Sequence, residues 1–179
     1  MQTAIQHLYK PPHEGNGLLY AWFLSMHTRV DIILYSQKPE RELLLVVNRI
    51  YDALYRLEKI ANFYDPDSEL SFVNRTASIS PIVLSEELYS MIDLCLEYNS
   101  KTLGYFDITV HSENYTQTTI YSVHLSAEEH SIHFSQPGVS INLSGFLKGY
   151  ALETIKDILN ESMIENALIN MGNSSILAL

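Results

Sequence analysis

Apolar and polar residues alternate along two neighbouring stretches near the start of the chain, Leu18 to Ser25 and Thr28 to Ser36, the second through Val30, Ile32 and Leu34. Alternation of this period places one set of side chains on one face of an extended strand. Both stretches are predicted as strands, with a bend or bulge at Met26-His27 between them. The period then changes. From Pro39, a residue suited to a first helical turn, Leu43, Val46, Val47, Ile50, Leu54, Leu57 and Ile60 recur at helical spacing to about Ala61. Such a stripe predicts a long helix with one buried face and is read as core, not as a cofactor surface. Turn residues follow at Tyr64-Asp65-Pro66-Asp67-Ser68, and Ser68 to Asn74 is predicted as a short helix whose end Asn74 marks.

Ser85 followed by Glu86 and Glu87 has the pattern of a helix N-terminus, a capping oxygen and then acidic side chains near the positive end of the helix dipole. Leu88, Met91, Ile92, Cys95 and Leu96 then face inward, and this helix is predicted to end near Leu103-Gly104. Three short runs come next, Ile120 to Leu125, Ser131 to Ser135 and Val139 to Leu143, with the tight-turn sequence Gln136-Pro137-Gly138 between the last two. They are predicted as a three-stranded meander. Phe146 to Met163 is predicted as a further helix, and Asn166 to Met171 with Ser174 to Leu179 as a hairpin around Gly172-Asn173. The fold class is α+β, a mixed or antiparallel sheet with three main helices. Residues 1–16 are expected to be an N-terminal tail, and 17–179 one domain. Because the chain ends on the apolar Ile176-Leu177-Ala178-Leu179, inside a hairpin pattern, it is expected to be incomplete at its C-terminus.

Composition narrows the function classes. Hydrophobic residues make up 46% of the 179, enough for a real core in a soluble globular protein. The net charge of −10, with only 11 Lys and Arg scattered along the chain, argues against nucleic acid as a partner, because backbone phosphates demand clustered cations. Cys95 lies in an apolar helical pattern and is expected to be a buried, inert thiol. No apolar stretch reaches membrane-spanning length. Lys10, Pro11, Pro12 and Glu14 stand where the apolar centre of a signal peptide would lie, so the chain as written is expected in the cytoplasm.

The candidate chemistry centres on Val139 to Glu153, VSINLSGFLKGYALE, where an alternating run meets a small-residue turn, a lysine and a helix. At Ser144-Gly145 the backbone can approach a ligand, the first N–H groups of the helix lack partners, and Lys148 adds a positive charge beside them, so the junction suits an anion. Tyr64 could stack on a planar ring or pack at the rim of a turn. Asp65 and Asp67 are read as turn caps. Asp107, between apolar neighbours in GYFDITV, is read either as a ligand contact or as a satisfied structural carboxylate. Glu128, Glu129, His130 and His133 have the composition of metal ligands, but their place at a hairpin tip favours exposed turn residues.

Five segments in order, MHTRVDIILY, LEKIANFYDPDSELSFVN, TLGYFDITV, VSINLSGFLKGYALE and ENALINMGNSSILAL, together resemble the FAD:protein FMN transferase family, also called the ApbE family. They span about residues 22 to 179. The resemblance implies an α+β architecture related to the T-fold, and an enzyme that cleaves the pyrophosphate of FAD. FMN is then attached through its phosphate to a threonine hydroxyl of an acceptor flavoprotein, AMP leaves, and magnesium is used. By matching position, Met26, Tyr64, Tyr105, Phe106, Asp107, Asn142 and Lys148 are implied to contact the flavin nucleotide. Gly145 is implied to contribute to magnesium, here through its main-chain carbonyl. Members of the family are often exported or membrane-anchored.

The departures from the family pattern are specific. Asn142 stands where aspartate is usual, His27 replaces the glycine after the methionine, Glu153 stands for aspartate, and Asn173 replaces the second glycine of the turn after Met171. The family continues beyond this hairpin into strands and a helix that carry a histidine motif and further acidic and hydroxyl ligands for the metal. The chain is therefore expected to be a truncated member, poorly equipped for transfer. Three function classes follow: a flavin transferase, completed in a longer product, as a homo-oligomer or by a second chain that supplies strands; a non-catalytic FAD- or nucleotide-binding module; and a structural partner whose open hairpin adds to another sheet.

Overall fold

A computed structural model describes residues 5–12 and 15–179. In chain order its elements are β1 (Gln6–Lys10), β2 (Gly17–Ser25), β3 (Thr28–Ser36), α1 (Glu40–Ala61), α2 (Glu69–Thr76), β4 (Ile82–Val83), α3 (Glu86–Lys101), β5 (Val123–Ser126), β6 (Ser131–Phe134), α4 (Ser144–Glu161), β7 (Ala167–Met171) and β8 (Ser175–Ala178). The α+β class, the antiparallel sheets and the three long helices agree with the expectation, with α2 as the short fourth. The chain divides into two compact units, one of the described residues up to Glu58 together with Lys148–Leu179, the other Lys59–Leu147. Both crossings lie inside helices, α1 and α4, whose apolar stripes run on without a linker, so composition carries no sign of the division.

The first unit is built on a five-stranded sheet in the order β1-β2-β3-β7-β8. Its strands alternate as strands with one covered face must: Leu19, Ala21 and Phe23, Val30, Ile32 and Leu34, and Ile169 and Met171 are all buried. Tyr51 of α1 meets Phe23 edge-on with 5.0 Å between ring centroids, and Leu43, Val47, Ile50 and Leu54 of the same helix are buried. Part of the expected tail is in fact β1, paired with β2 from Gln6↔Trp22 to Lys10↔Leu18. This edge strand buries no alternating face, so it leaves no periodic signature in the sequence, and Pro11 follows directly after it.

The second unit holds α2, α3 and a three-stranded sheet in the order β4-β6-β5. The side chains of Ser68 and Ser85 cap the two helices, accepting from Ser71 N–H at 3.1 Å and Leu88 N–H at 3.2 Å. Cys95 is fully buried and burial pushes its thiol up to about 12, which matches the inert thiol expected. The expected meander is corrected at both ends. Thr119–Ser122 is a 3-10 turn, with the strand beginning at Val123, and Val139 to Leu143 forms no strand and does not join the sheet. Asn74 explains the second difference: its amide accepts from Ile141 N–H and donates to Ile141 carbonyl, both at 2.9 Å, as a neighbouring strand would. Asn74 lies inside α2 and does not end it, and β4, unforeseen, takes the free edge of β6. Among the described residues no helix is long and apolar enough to cross a membrane.

Candidate functional site

Within Lys59–Leu147 the turn after α1 is built by its own side chains. Asn62 Oδ1 accepts from Tyr64 N–H at 3.0 Å, Asp65 Oδ1 accepts from Asp67 N–H at 3.0 Å, and the Ser68 hydroxyl donates to the Asn62 carbonyl at 2.7 Å. The turn presents Tyr64, 67% exposed, with Phe63 edge-on beside it at 5.2 Å. Phe63 also meets the ring of His111 at 5.4 Å, and His111 Nδ1 lies 3.5 Å from Asn142 Nδ2. Asn142 is buried, and its Oδ1 accepts from Ser144 N–H at 2.8 Å. That bond orients the amide, so its nitrogen faces His111 Nδ1. A continuous set of contacts therefore runs from Tyr64 to the start of α4.

This start differs from the open helix end expected. Asn142 takes the N–H of Ser144, while Phe146 and Leu147 both donate to Leu143 carbonyl, at 2.9 Å each. Gly145 is exposed, and a Cβ placed on it would meet only the ring of Phe106, at 4.0 Å. Phe106 is held by the Thr102 hydroxyl, which accepts its N–H at 3.0 Å, and by Asn99 Nδ2, which donates to its carbonyl at 2.7 Å. Asp107 is engaged by its own loop, accepting from Thr109 N–H at 2.7 Å, Thr109 hydroxyl at 2.6 Å and Tyr115 hydroxyl at 3.1 Å. Desolvation first, then the bond to Asp107, raises the Tyr115 pKa above its ordinary value, which keeps that hydroxyl a donor at neutral pH. Tyr105 projects to solvent, 94% exposed, and lines a cleft with Asn99, Gln117, Thr118 and Tyr121.

The turn that carries Tyr64 has a pH dependence of known sign. The Asp67 N–H first, and then Lys59, whose Nζ is 3.0 Å from Oδ2, hold the Asp65 carboxyl below the usual carboxylate range. A depressed folded-state pKa contributes stability that is present above the unfolded value, about 3.9 for aspartate, and is lost as pH falls through the folded value. Residues 62–68 are expected to loosen below about pH 4. An NMR titration of the Asp67 amide should show this step, and Asp65→Asn should abolish it.

In the other unit, Met26 and His27 form the two-residue turn between β2 and β3, both in the left-handed region at φ 49° and 56°. Two non-glycine residues there store strain. Glu58 of α1 offsets it, accepting from Met26 N–H at 3.1 Å and from the Ser25 hydroxyl at 3.3 Å. Restoring glycine, His27→Gly, is expected to raise stability by about 1 kcal/mol, while Glu58→Ala lowers it by a similar amount, both read from urea denaturation. Gly172 donates its N–H to Arg29 carbonyl at 3.1 Å, which sets the β7–β8 turn beside the β2–β3 turn at the same end of the sheet. Met26 lies in the first of these turns, and Lys148, on α4, reaches the second, its Nζ donating to the Ser174 hydroxyl at 3.2 Å.

Metal ligands are sparse. Magnesium takes near-octahedral oxygen ligation, and Gly145 offers one main-chain carbonyl. Among the described residues no group of three or more His, Cys, Asp or Glu is placed to hold a metal ion, so the side chains do not of themselves fit magnesium. The hairpin-tip set also separates: His130 stacks on Tyr89 at 4.7 Å and His133 lies beside His124. Sequence reasoning missed Phe63, His111, Glu58 and Ser174. Phe63 adjoins Tyr64 and could have been found by position, but His111 reaches Asn142 across 31 residues and only folding shows it.

The ApbE family model matches residues 26–179, and the chain belongs to the ApbE family. Among curated relatives, the FAD:protein FMN transferase of Treponema pallidum is 22% identical over 177 residues, covering 84% of this chain and 49% of that protein. The FAD:protein FMN transferase of Chlamydia pneumoniae is 27% identical, covering 72% and 48%. The chain thus spans about half the length of the curated relatives it matches. Among solved structures, a mutant of the flavin transferase ApbE from Vibrio cholerae superposes with a TM-score of 0.75 at 19% identity, over 98% of this chain and 62% of that one. The ApbE protein from Thermotoga maritima gives 0.72 at 23% identity, over 87% and 57%; these likenesses show the fold.

Proposed function

We propose that the chain binds FAD and serves transfer of its FMN moiety to a protein. In this reaction the oxygen of an acceptor threonine bonds to the FMN phosphorus, the pyrophosphate P–O bond breaks, AMP leaves with that electron pair, and the hydroxyl proton passes to solvent. The observation that carries the reading is the set of contacts from Tyr64 through Phe63 and His111 to Asn142 and the start of α4. Tyr64 offers an exposed aromatic face to a planar ring. Gly145, without a side chain, lets a phosphate approach the positive end of α4. Asp107 holds the loop that carries Phe106. Met26 and Lys148 are nucleotide contacts by the family resemblance alone, Lys148 as the cation. Magnesium, with the Gly145 carbonyl as a ligand, is implied by the family resemblance alone, and no part of this reading is routed through it.

A second reading, nucleotide binding without transfer, is favoured by Asn142. Where the family has a carboxylate, this neutral amide commits its oxygen to Ser144 and its nitrogen to His111. Flavin fluorescence during FAD titration, followed by addition of magnesium and a threonine-bearing acceptor with AMP measured, separates the two. Binding that weakens by about tenfold in Tyr64→Ala, with AMP release and flavin fixed to the acceptor, is the expected result. Binding without AMP selects the second reading, and no FAD binding overturns both.

A further inference from the structure

The three-stranded sheet of the second unit carries a pair of groups that the flavin reading does not use. Antiparallel register sets His124 of β5 directly opposite His133 of β6. Their rings stand side by side on the same face of the hairpin, 6.4 Å between centroids and 23° from parallel. The opposite face is the core one, since Val123 pairs with Phe134 and Leu125 with Ile132. His124 is exposed and His133 half-buried.

Two imidazoles held opposite one another on paired strands are a bidentate ligand whose backbone cost has already been met by folding. We propose that His124 and His133 form a chelating site for a borderline divalent transition metal, zinc(II) or copper(II), with water completing the coordination. Imidazole nitrogens favour these ions, at about 2.0–2.1 Å for zinc, whereas magnesium prefers oxygen. The rings need to approach by about 1 Å, within reach of a χ rotation of side chains at the surface. The site is distinct in chemistry from the flavin site, and stands or falls without it.

The test is calorimetric titration of the full chain with zinc chloride, paired with electron paramagnetic resonance of the copper(II)-loaded protein. One equivalent should bind, unaffected by excess magnesium, with hyperfine structure from two nitrogens. His124→Ala and His133→Ala should each weaken zinc by about tenfold or more and leave one nitrogen in the copper spectrum. His130→Ala, which removes the ring stacked on Tyr89, should change neither, and His124→Gln and His133→Gln repeat the test with polar side chains should either alanine variant misfold. Zinc affinity in folded His124 and His133 variants within about twofold of the parent, or a copper spectrum that both substitutions leave intact, overturns the proposal.

Discussion

Asn74→Ala is expected to destabilise the protein by about 2–3 kcal/mol, because it leaves a paired N–H and a paired carbonyl of Ile141 without partners. Ile141 is fully buried, both bonds are 2.9 Å, and Asn74 is their only source among the described residues. The consequence reaches the candidate site. Ile141 precedes Asn142, which caps α4 and meets His111, so loosening residues 139–143 should disorder the helix start before the rest of the unit. Hydrogen exchange should show lost protection at Ile141 and Ser144 at a denaturant concentration where β6 is still protected. Asn74→Asp keeps the acceptor and loses the donor, and should fall between the two. Equal stability for Asn74→Ala and the parent would show that Asn74 does not hold this segment.

Gly172→Ala is expected to cost about 3 kcal/mol or more, from two causes that add. Gly172 has φ +64°, where a side chain is strained, and a Cβ there would lie 2.1 Å from Thr28 Oγ1 and 3.0 Å from Thr28 Cβ. The clash sits between the β2–β3 and β7–β8 turns, so the turn that holds Met26 and the turn that Lys148 touches through Ser174 must separate. Thr28→Ala removes the nearest oxygen and should recover part of the loss, leaving the backbone strain. Thermal melts of the two single variants and the double variant measure the coupling, and strictly additive losses would mean that the close approach of the turns contributes nothing.

How much of the site was legible in the sequence depends on the range of each interaction. Tyr64, Asp65 and Ser68 sit in a turn made by bonds within six residues, so their placement followed from local turn chemistry. The N-caps Ser68 and Ser85 are equally local. Asn74 shows the opposite case. Its position near a predicted helix end suggested a stop signal, yet its amide serves residue 141, and nothing in the neighbouring sequence records that. Val139 to Leu143 alternates as a strand should yet joins no sheet, because alternation reports a buried face and not which groups take the backbone hydrogen bonds.

The sequence alone determined the periodic elements, α1, α3 and α4 and the β2–β3 and β7–β8 hairpins, because a buried stripe or face needs apolar residues at the spacing of the backbone repeat. It also determined the family, through motifs that need no geometry to be matched. Only the tertiary structure decided the division into two units, the edge strand β1, the side-chain strand mimicry of Asn74, the orientation of Asn142 by Ser144 and His111, and the pairing of His124 with His133. Each of these rests on partners far apart in the chain, or on backbone groups whose donors and acceptors are the same in every residue but proline. Side-chain type is written along the sequence, whereas register and the destination of each hydrogen bond exist only once the chain has closed on itself.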